Sequence, residues 1–117
     1  MNKICTTIEQ SKKLIELGID VNTGDMFWAD GERPAVWNNK DISLDEMDIP
    51  AWSLAALFKL LPKCIEGAEP SLIKTFRDDY RIVYDIHGDE NITSEDYTNP
   101  IDACYEMIIR LKENDLL

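Results

Sequence analysis

The sequence predicts an α+β fold, two β-hairpins in an antiparallel sheet packed by about three helices, in the order α-β-β-α-β-β-α. Three observations carry this reading. Tyr80, Ile82, Tyr84 and Ile86 recur at every second position, the period of a half-buried strand. Asp30-Gly31 separates two short apolar runs rich in aromatics, the chemistry of a tight hairpin turn. Three further segments open on Thr6, Ser53 and Asn99 ahead of apolar residues, side chains that satisfy the free amides of a helix N-terminus.

The first helix is expected from Thr6-Thr7-Ile8-Glu9, where Thr6 and Glu9 suit a reciprocal capping box. Gly18 tolerates the left-handed conformation that ends a helix, and Ile19 can then fold back on Leu14. Ile8 and Ile15, with Leu14 beside them, are expected on its buried face. Asp25 to Asn38 reads as the first hairpin, with a polar turn over Asp30-Gly31-Glu32-Arg33. Pairing Ala29 with Pro34 sets Phe27 against Val36 and Met26 against Trp37. That register gathers Met26, Trp28, Ala35 and Trp37 on one face and leaves the other face apolar too. Pro34 fits only an edge strand or a strand's first residue.

Asn38 to Asp48 is polar and acidic and reads as a connector, with one helical turn at Leu44-Asp45-Glu46. Ser53 then caps an apolar helix through Leu61, stopped by Pro62, with Trp52 stapled onto Leu57; alternatively Pro50 is its first residue. Being apolar nearly all round, this helix is expected to be the most buried element. Ser71 to His87 forms the second hairpin, turning at Asp78-Asp79, with Ile73 opposite the Tyr80–Ile86 face. Gly88 to Thr98 reads as a polar loop. Asn99-Pro100 opens the last helix, whose seam is Ile101, Cys104, Ile108 and Leu111, widened by Tyr105 and Met107.

The 117 residues carry 12 Lys+Arg against 23 Asp+Glu, a formal charge of −11, and are 44% hydrophobic. That length and apolar fraction fit a single globular domain over residues 1–117 rather than a disordered acidic tail. The charge argues against docking on nucleic acid or on an anionic membrane, which need clustered cations. It is uneven: residues 1–40 carry a net −1, 41–80 a net −4 and 81–117 a net −6. Cys5, Cys64 and Cys104 are far apart and odd in number, so half-buried free thiols in a reducing cytoplasm are expected. No run suits a signal peptide or a membrane span.

Four phrases together carry a likeness: Ser11-Lys12-Lys13-Leu14-Ile15-Glu16-Leu17-Gly18, Asp25-Met26-Phe27-Trp28, Pro50-Ala51-Trp52-Ser53-Leu54 and Asn99-Pro100-Ile101-Asp102-Ala103-Cys104-Tyr105-Glu106-Met107. They resemble small acidic uncharacterised proteins of bacterial prophages and integrated mobile elements. The resemblance implies a stand-alone cytosolic domain in a mobile-element setting. It implies no catalytic or binding residue.

Catalytic chemistry finds little footing. The sole histidine is His87, and no nucleophile motif surrounds any Ser or Cys. The five glycines never cluster into a phosphate-cradling loop. Asp85 to Asp96 has the outline of a calcium loop, but His87, Glu90 and Asp96 stand where an oxygen ligand, a turn glycine and a bidentate Glu are required. Carboxylate pairs such as Asp45-Glu46 and Asp78-Asp79 lie in polar turns, where water keeps them ionised. No cofactor, catalytic residue or metal ligand is therefore assigned.

The expectation that results is a non-catalytic acidic interaction module, an inhibitor or modulator of a host or mobile-element protein. Met26, Trp28 and Trp37 are its candidate partner-binding residues, because Trp is enriched at interface hot spots. The expected partner is an unidentified protein, a basic one where the acidic field does the drawing, or a second copy in a homodimer. The alternatives are a small enzyme using His87 with nearby carboxylates, and a self-assembling structural component.

Overall fold

A computed structural model describes residues 3–37, 44–86 and 91–117. Helix α1 spans Ile8–Glu16 and is capped one residue later than the sequence suggests. Thr7, not Thr6, accepts from the Gln10 amide, and the Gln10 side chain accepts from the Thr7 amide. Thr6 is buried instead: its hydroxyl lies 2.7 Å from that of Ser11 and accepts from the Trp52 amide. The inward face of α1 is accordingly Ser11 and Leu14, while Ile15 is exposed. At the C-terminus, Gly18 adopts φ +90°, and the Gly18 and Ile19 amides donate to the Ile15 and Leu14 carbonyls. This is the doubly bonded cap that a left-handed glycine permits.

After a single 3-10 turn at Val21–Thr23, strands β1 (Met26–Ala29) and β2 (Arg33–Val36) form the first hairpin. Its register is one residue shorter than expected: Met26 pairs with Val36, Phe27 with Ala35, Trp28 with Pro34 and Ala29 with Arg33. Asp30 and Gly31 both take positive φ, so the loop closes over three residues rather than four. A one-residue slip exchanges the two faces of the paired strand. A short third strand, β3 (Ile49–Ala51), pairs with β1 where the sequence suggests only an approach to a helix. The sheet order is β2-β1-β3.

Ser53 caps α2 (Leu54–Leu60) as expected, and its own amide and hydroxyl donate to the Asp25 carboxylate. The Trp52 and Leu57 side chains are fully buried in one core, the arrangement of a hydrophobic staple. The helix is short and only Ala56 and Leu57 are buried along it, so it is not the most buried element. That element is α3 (Pro100–Glu113), capped by Asn99 with Pro100 in the first turn. Ile101, Ala103, Cys104, Met107, Ile108 and Leu111 are buried, so the expected seam holds.

The second hairpin pairs β4 (Pro70–Lys74) with β5 (Tyr80–Tyr84). Ile82, Tyr84 and Ile86 are buried, as their alternation predicts. Opposite Ile82 stands Leu72 rather than Ile73, which pairs with Arg81. The expected polar loop after Gly88 supplies a further strand, β6 (Ile92–Thr93), so the order here is β4-β5-β6. The fold is α+β, but the two hairpins lie in separate three-stranded antiparallel sheets. Leu14, Trp52, Leu57, Ile82, Tyr84 and the inner face of α3 share the main core. Cys5, Met26 and Ala51 form a smaller cluster with Trp28 packed against it. No helix among the described residues is long and apolar enough to cross a membrane.

Candidate functional site

The register of the first hairpin disperses the three residues expected to form a contact surface. Met26 is only 7% exposed and belongs to the small core cluster. Trp28 is half-buried, and its indole N–H donates to the Thr6 carbonyl at 2.9 Å. Trp37 follows β2, and its amide donates to the Asp25 carbonyl at 2.9 Å. Strand alternation from the observed register places Trp37 with Phe27 and Ala35, away from Met26 and Trp28. The shared face for Trp28 and Trp37 is therefore corrected.

Trp28 keeps one open side, on a cavity of about 320 Å³ that Ile4, Cys5 and Pro34 also line. Glu32 adds a carboxylate to the cavity wall, and two of its other polar groups are already committed. The Lys3 ammonium pairs with Asp102, and the Thr7 hydroxyl caps α1. What remains is a mainly apolar recess with the single Glu32 carboxylate, not the convergent set of polar groups that orients a small ligand.

His87 lies outside the described residues, as do Gly88, Asp89 and Glu90 of the calcium-like loop. Of that loop's other carboxylates, Asp85 is exposed and Asp96 pairs with Arg81, Nε to Oδ1 at 3.0 Å, without hydrogen-bond alignment. Among the described residues, no three His, Cys, Asp or Glu side chains converge on a point that could hold a metal ion.

The thiols are not uniformly half-buried: Cys5 and Cys104 are buried and Cys64 is exposed. Burial pushes the Cys104 thiol from its ordinary 9.0 up to about 12, and raises Cys5 by burial first and the nearby Asp25 charge second. A thiol held neutral is a poor nucleophile. Asp48, from the acidic connector, is structural. Its two oxygens accept from the Asp30 and Asp45 amides, tying the first hairpin's turn to the segment before β3.

The surface that the sequence reading passed over is the second hairpin. Phe76, expected within a strand, sits in the connecting loop and is 92% exposed, the largest exposure of any big apolar side chain described. Thr75 causes this. Its hydroxyl accepts from the Arg77 and Asp79 amides, and its own amide donates to the Asp79 carbonyl. That side-chain turn lifts Phe76-Arg77-Asp78 off the ladder, with Asp78 at φ +62°. Arg77 lies over the Phe76 ring, 5.4 Å from its centroid. A hydroxyl residue followed by Arg77-Asp78-Asp79 was the available signal for the longer turn.

Along β4, Leu72 and Ile73 are also exposed. Leu72 borders a shallow apolar groove on α2, lined by Leu54, Ala55, Phe58 and the stem of Lys59. Strand β4 is an edge of its sheet, and an unprotected edge offers unpaired backbone groups to another strand. The other described edges are blunted. Pro34 and Pro50 interrupt β2 and β3, and β6 has only two residues.

Elsewhere, Glu95, Tyr97, Glu106, Arg110 and Glu113 line a polar cleft of about 390 Å³ beside α3. Burial chiefly, and then the Glu106 and Glu95 charges, raise the Tyr97 hydroxyl. The Arg110 guanidinium, which donates to the Thr93 carbonyl, offsets part of that negative field. No family model, curated protein or solved structure matches the chain.

Proposed function

We propose that the protein is a non-catalytic interaction module whose contact surface is the second hairpin, the β4 edge together with the Phe76 loop. One observation carries this reading: an edge strand whose Ser71–Lys74 stretch is exposed leads into a loop carrying an aromatic side chain that is 92% exposed. Leaving Leu72, Ile73 and Phe76 in water costs hydrophobic free energy that docking another polypeptide would recover. Such a module works by occupying or bridging other chains, as an inhibitor or modulator does. In this reading the acidic remainder serves solubility and long-range steering.

The test is a photoreactive benzoylphenylalanine placed at position 76 or at position 28 and irradiated in cells. Adducts to a polypeptide from position 76, absent or much weaker from position 28, are the expected result. The reverse pattern would move the surface to the first hairpin. Silence at both positions would overturn the module reading.

A further inference from the structure

The geometry points to a second copy of this chain as the strand that β4 accepts, forming a two-fold antiparallel β4–β4 pair; this inference rests on the reading of β4 as a contact edge. The backbone direction along β4 follows from what its partner strand does. On β5, Ile82 donates to the Ser94 hydroxyl and accepts from the Ser94 amide, while Tyr80 exchanges both of its backbone bonds with Tyr97. Both residues thus spend their amide and carbonyl on the side away from β4. Their cross-strand partners are Leu72 and Lys74. In an antiparallel ladder such positions alternate, so the amides and carbonyls of Leu72 and Lys74 point to the open edge. The Pro70 carbonyl does the same.

Read antiparallel to itself about Leu72, this edge is self-complementary. The two Leu72 residues exchange amide-to-carbonyl bonds, and each Lys74 amide reaches the Pro70 carbonyl of the other copy. Pro70 has no N–H, so it supplies an acceptor where an acceptor is needed and loses only the return bond. On the face shared with Ile82, the two Leu72 side chains would meet at the axis beside the α2 grooves. That joins two three-stranded sheets into one of six strands.

Charge favours the same occupant. Residues 49–79 hold four basic side chains (Lys59, Lys63, Lys74, Arg77) and four acidic ones (Glu66, Glu69, Asp78, Asp79), a net of zero, so the other residues carry the entire −11. Two such polyanions can meet along this segment without bringing net like charges together there. A basic partner would find its attraction elsewhere on the surface.

Sedimentation equilibrium of the purified full chain over a wide concentration range tests the pairing. The expected mass moves from 13.4 kDa toward twice that value. Leu72→Pro removes an outward-pointing amide that β5 does not use, so it is expected to keep the cooperative melt yet stay monomeric. Leu72→Cys, made in a Cys64→Ser background, is expected to form an oxidised dimer, whereas Ser71→Cys, out of register with itself, is not. A mass of 13.4 kDa at every concentration overturns the proposal, as does a Leu72→Pro protein that dimerises like the parent. Adducts from position 76 to a different protein, with a monomeric purified chain, would leave the module reading standing and remove the second copy as its partner.

Discussion

The two sheets have the same size and handle their surfaces in opposite ways. In the first, order β2-β1-β3, both edge strands carry a proline inside the strand, at positions 34 and 50, whereas the Pro70 of β4 stands at that strand's first position. Two of the first sheet's large apolar side chains turn inward, since Met26 joins Cys5 and Ala51 and the Trp28 indole is tied to the Thr6 carbonyl, while Val36 at the end of β2 is 60% exposed. In the second sheet, β5 is buried against α3, but β4 is half-buried at Pro70 and exposed from Ser71 to Lys74. Aromatic content therefore does not identify the sticky sheet. What distinguishes them is which edge retains free backbone groups and whether the side chains near it have found partners.

The largest expected effect falls on the residue that joins the first sheet to the core. Trp52 follows β3 directly, is fully buried, and donates its indole N–H to the Thr23 hydroxyl at 2.9 Å. Trp52→Ala should cost about 3–5 kcal/mol in urea unfolding, through lost transfer energy and a cavity the packed core cannot close. A cost under about 1 kcal/mol would mean that the first sheet is not anchored there. Gly24 makes the same junction tight, since a Cβ at that position would stand 2.8 Å from the Ala51 carbonyl oxygen. Gly24→Ala is expected to destabilise by about 1–3 kcal/mol because backbone has to move.

Alkaline pH tests the opposite pole, the core beneath the second sheet. Cys104 and Tyr84 titrate at about 12, against ordinary values of 9.0 and 10.0, chiefly because burial disfavours their anions. Each folded value lies above the unfolded one, so the native state holds the proton that the unfolded chain has released. Stability from Cys104 is fully present below pH 9 and declines between about pH 9 and 12, by about 1.4 kcal/mol per pH unit. Cys104→Ala should flatten that part of the profile while lowering stability at neutral pH. An unchanged alkaline slope would show that the thiol is not the group responsible. At neutral pH, a thiol reagent should modify Cys64 promptly and reach Cys5 and Cys104 only on unfolding.

The parts of this molecule legible in its sequence are those fixed by local chemistry. The Gly18 cap, the Ser53 and Asn99 caps and the inward face of α3 each depend on residues within one or two turns. The alternation of Ile82, Tyr84 and Ile86 is equally local. Decisions made at a distance were hidden. Ile49–Ala51 contains a proline and Ile92–Thr93 is only two residues long, so neither carries a periodic pattern; each is a strand because a partner lies beside it. The choice between a three- and a four-residue loop after Ala29 was invisible too, and it moved Trp37 to the other face. The candidate site was missed for a related reason: one hydroxyl, Thr75, decides whether Phe76 continues the strand or leaves it.

The smallest expected change in stability is also the one that separates the two sheets most cleanly. Phe76 is 92% exposed, and the Arg77 guanidinium lies over its ring. An exposed cation–π pair is worth about 0.5–1 kcal/mol at most, and removing an exposed apolar ring leaves no cavity. Phe76→Ala should therefore shift the urea midpoint by no more than about 1 kcal/mol equivalent. Met26→Ala, in the first sheet, buries its loss and should cost about 2 kcal/mol or more. Function should reverse that ranking. If the second hairpin is the contact surface, Phe76→Ala weakens association while Met26→Ala, once folded, leaves it intact. A Phe76→Ala protein that is as stable and as associative as the parent would show that the open edge, despite its exposure, is not where this molecule meets another.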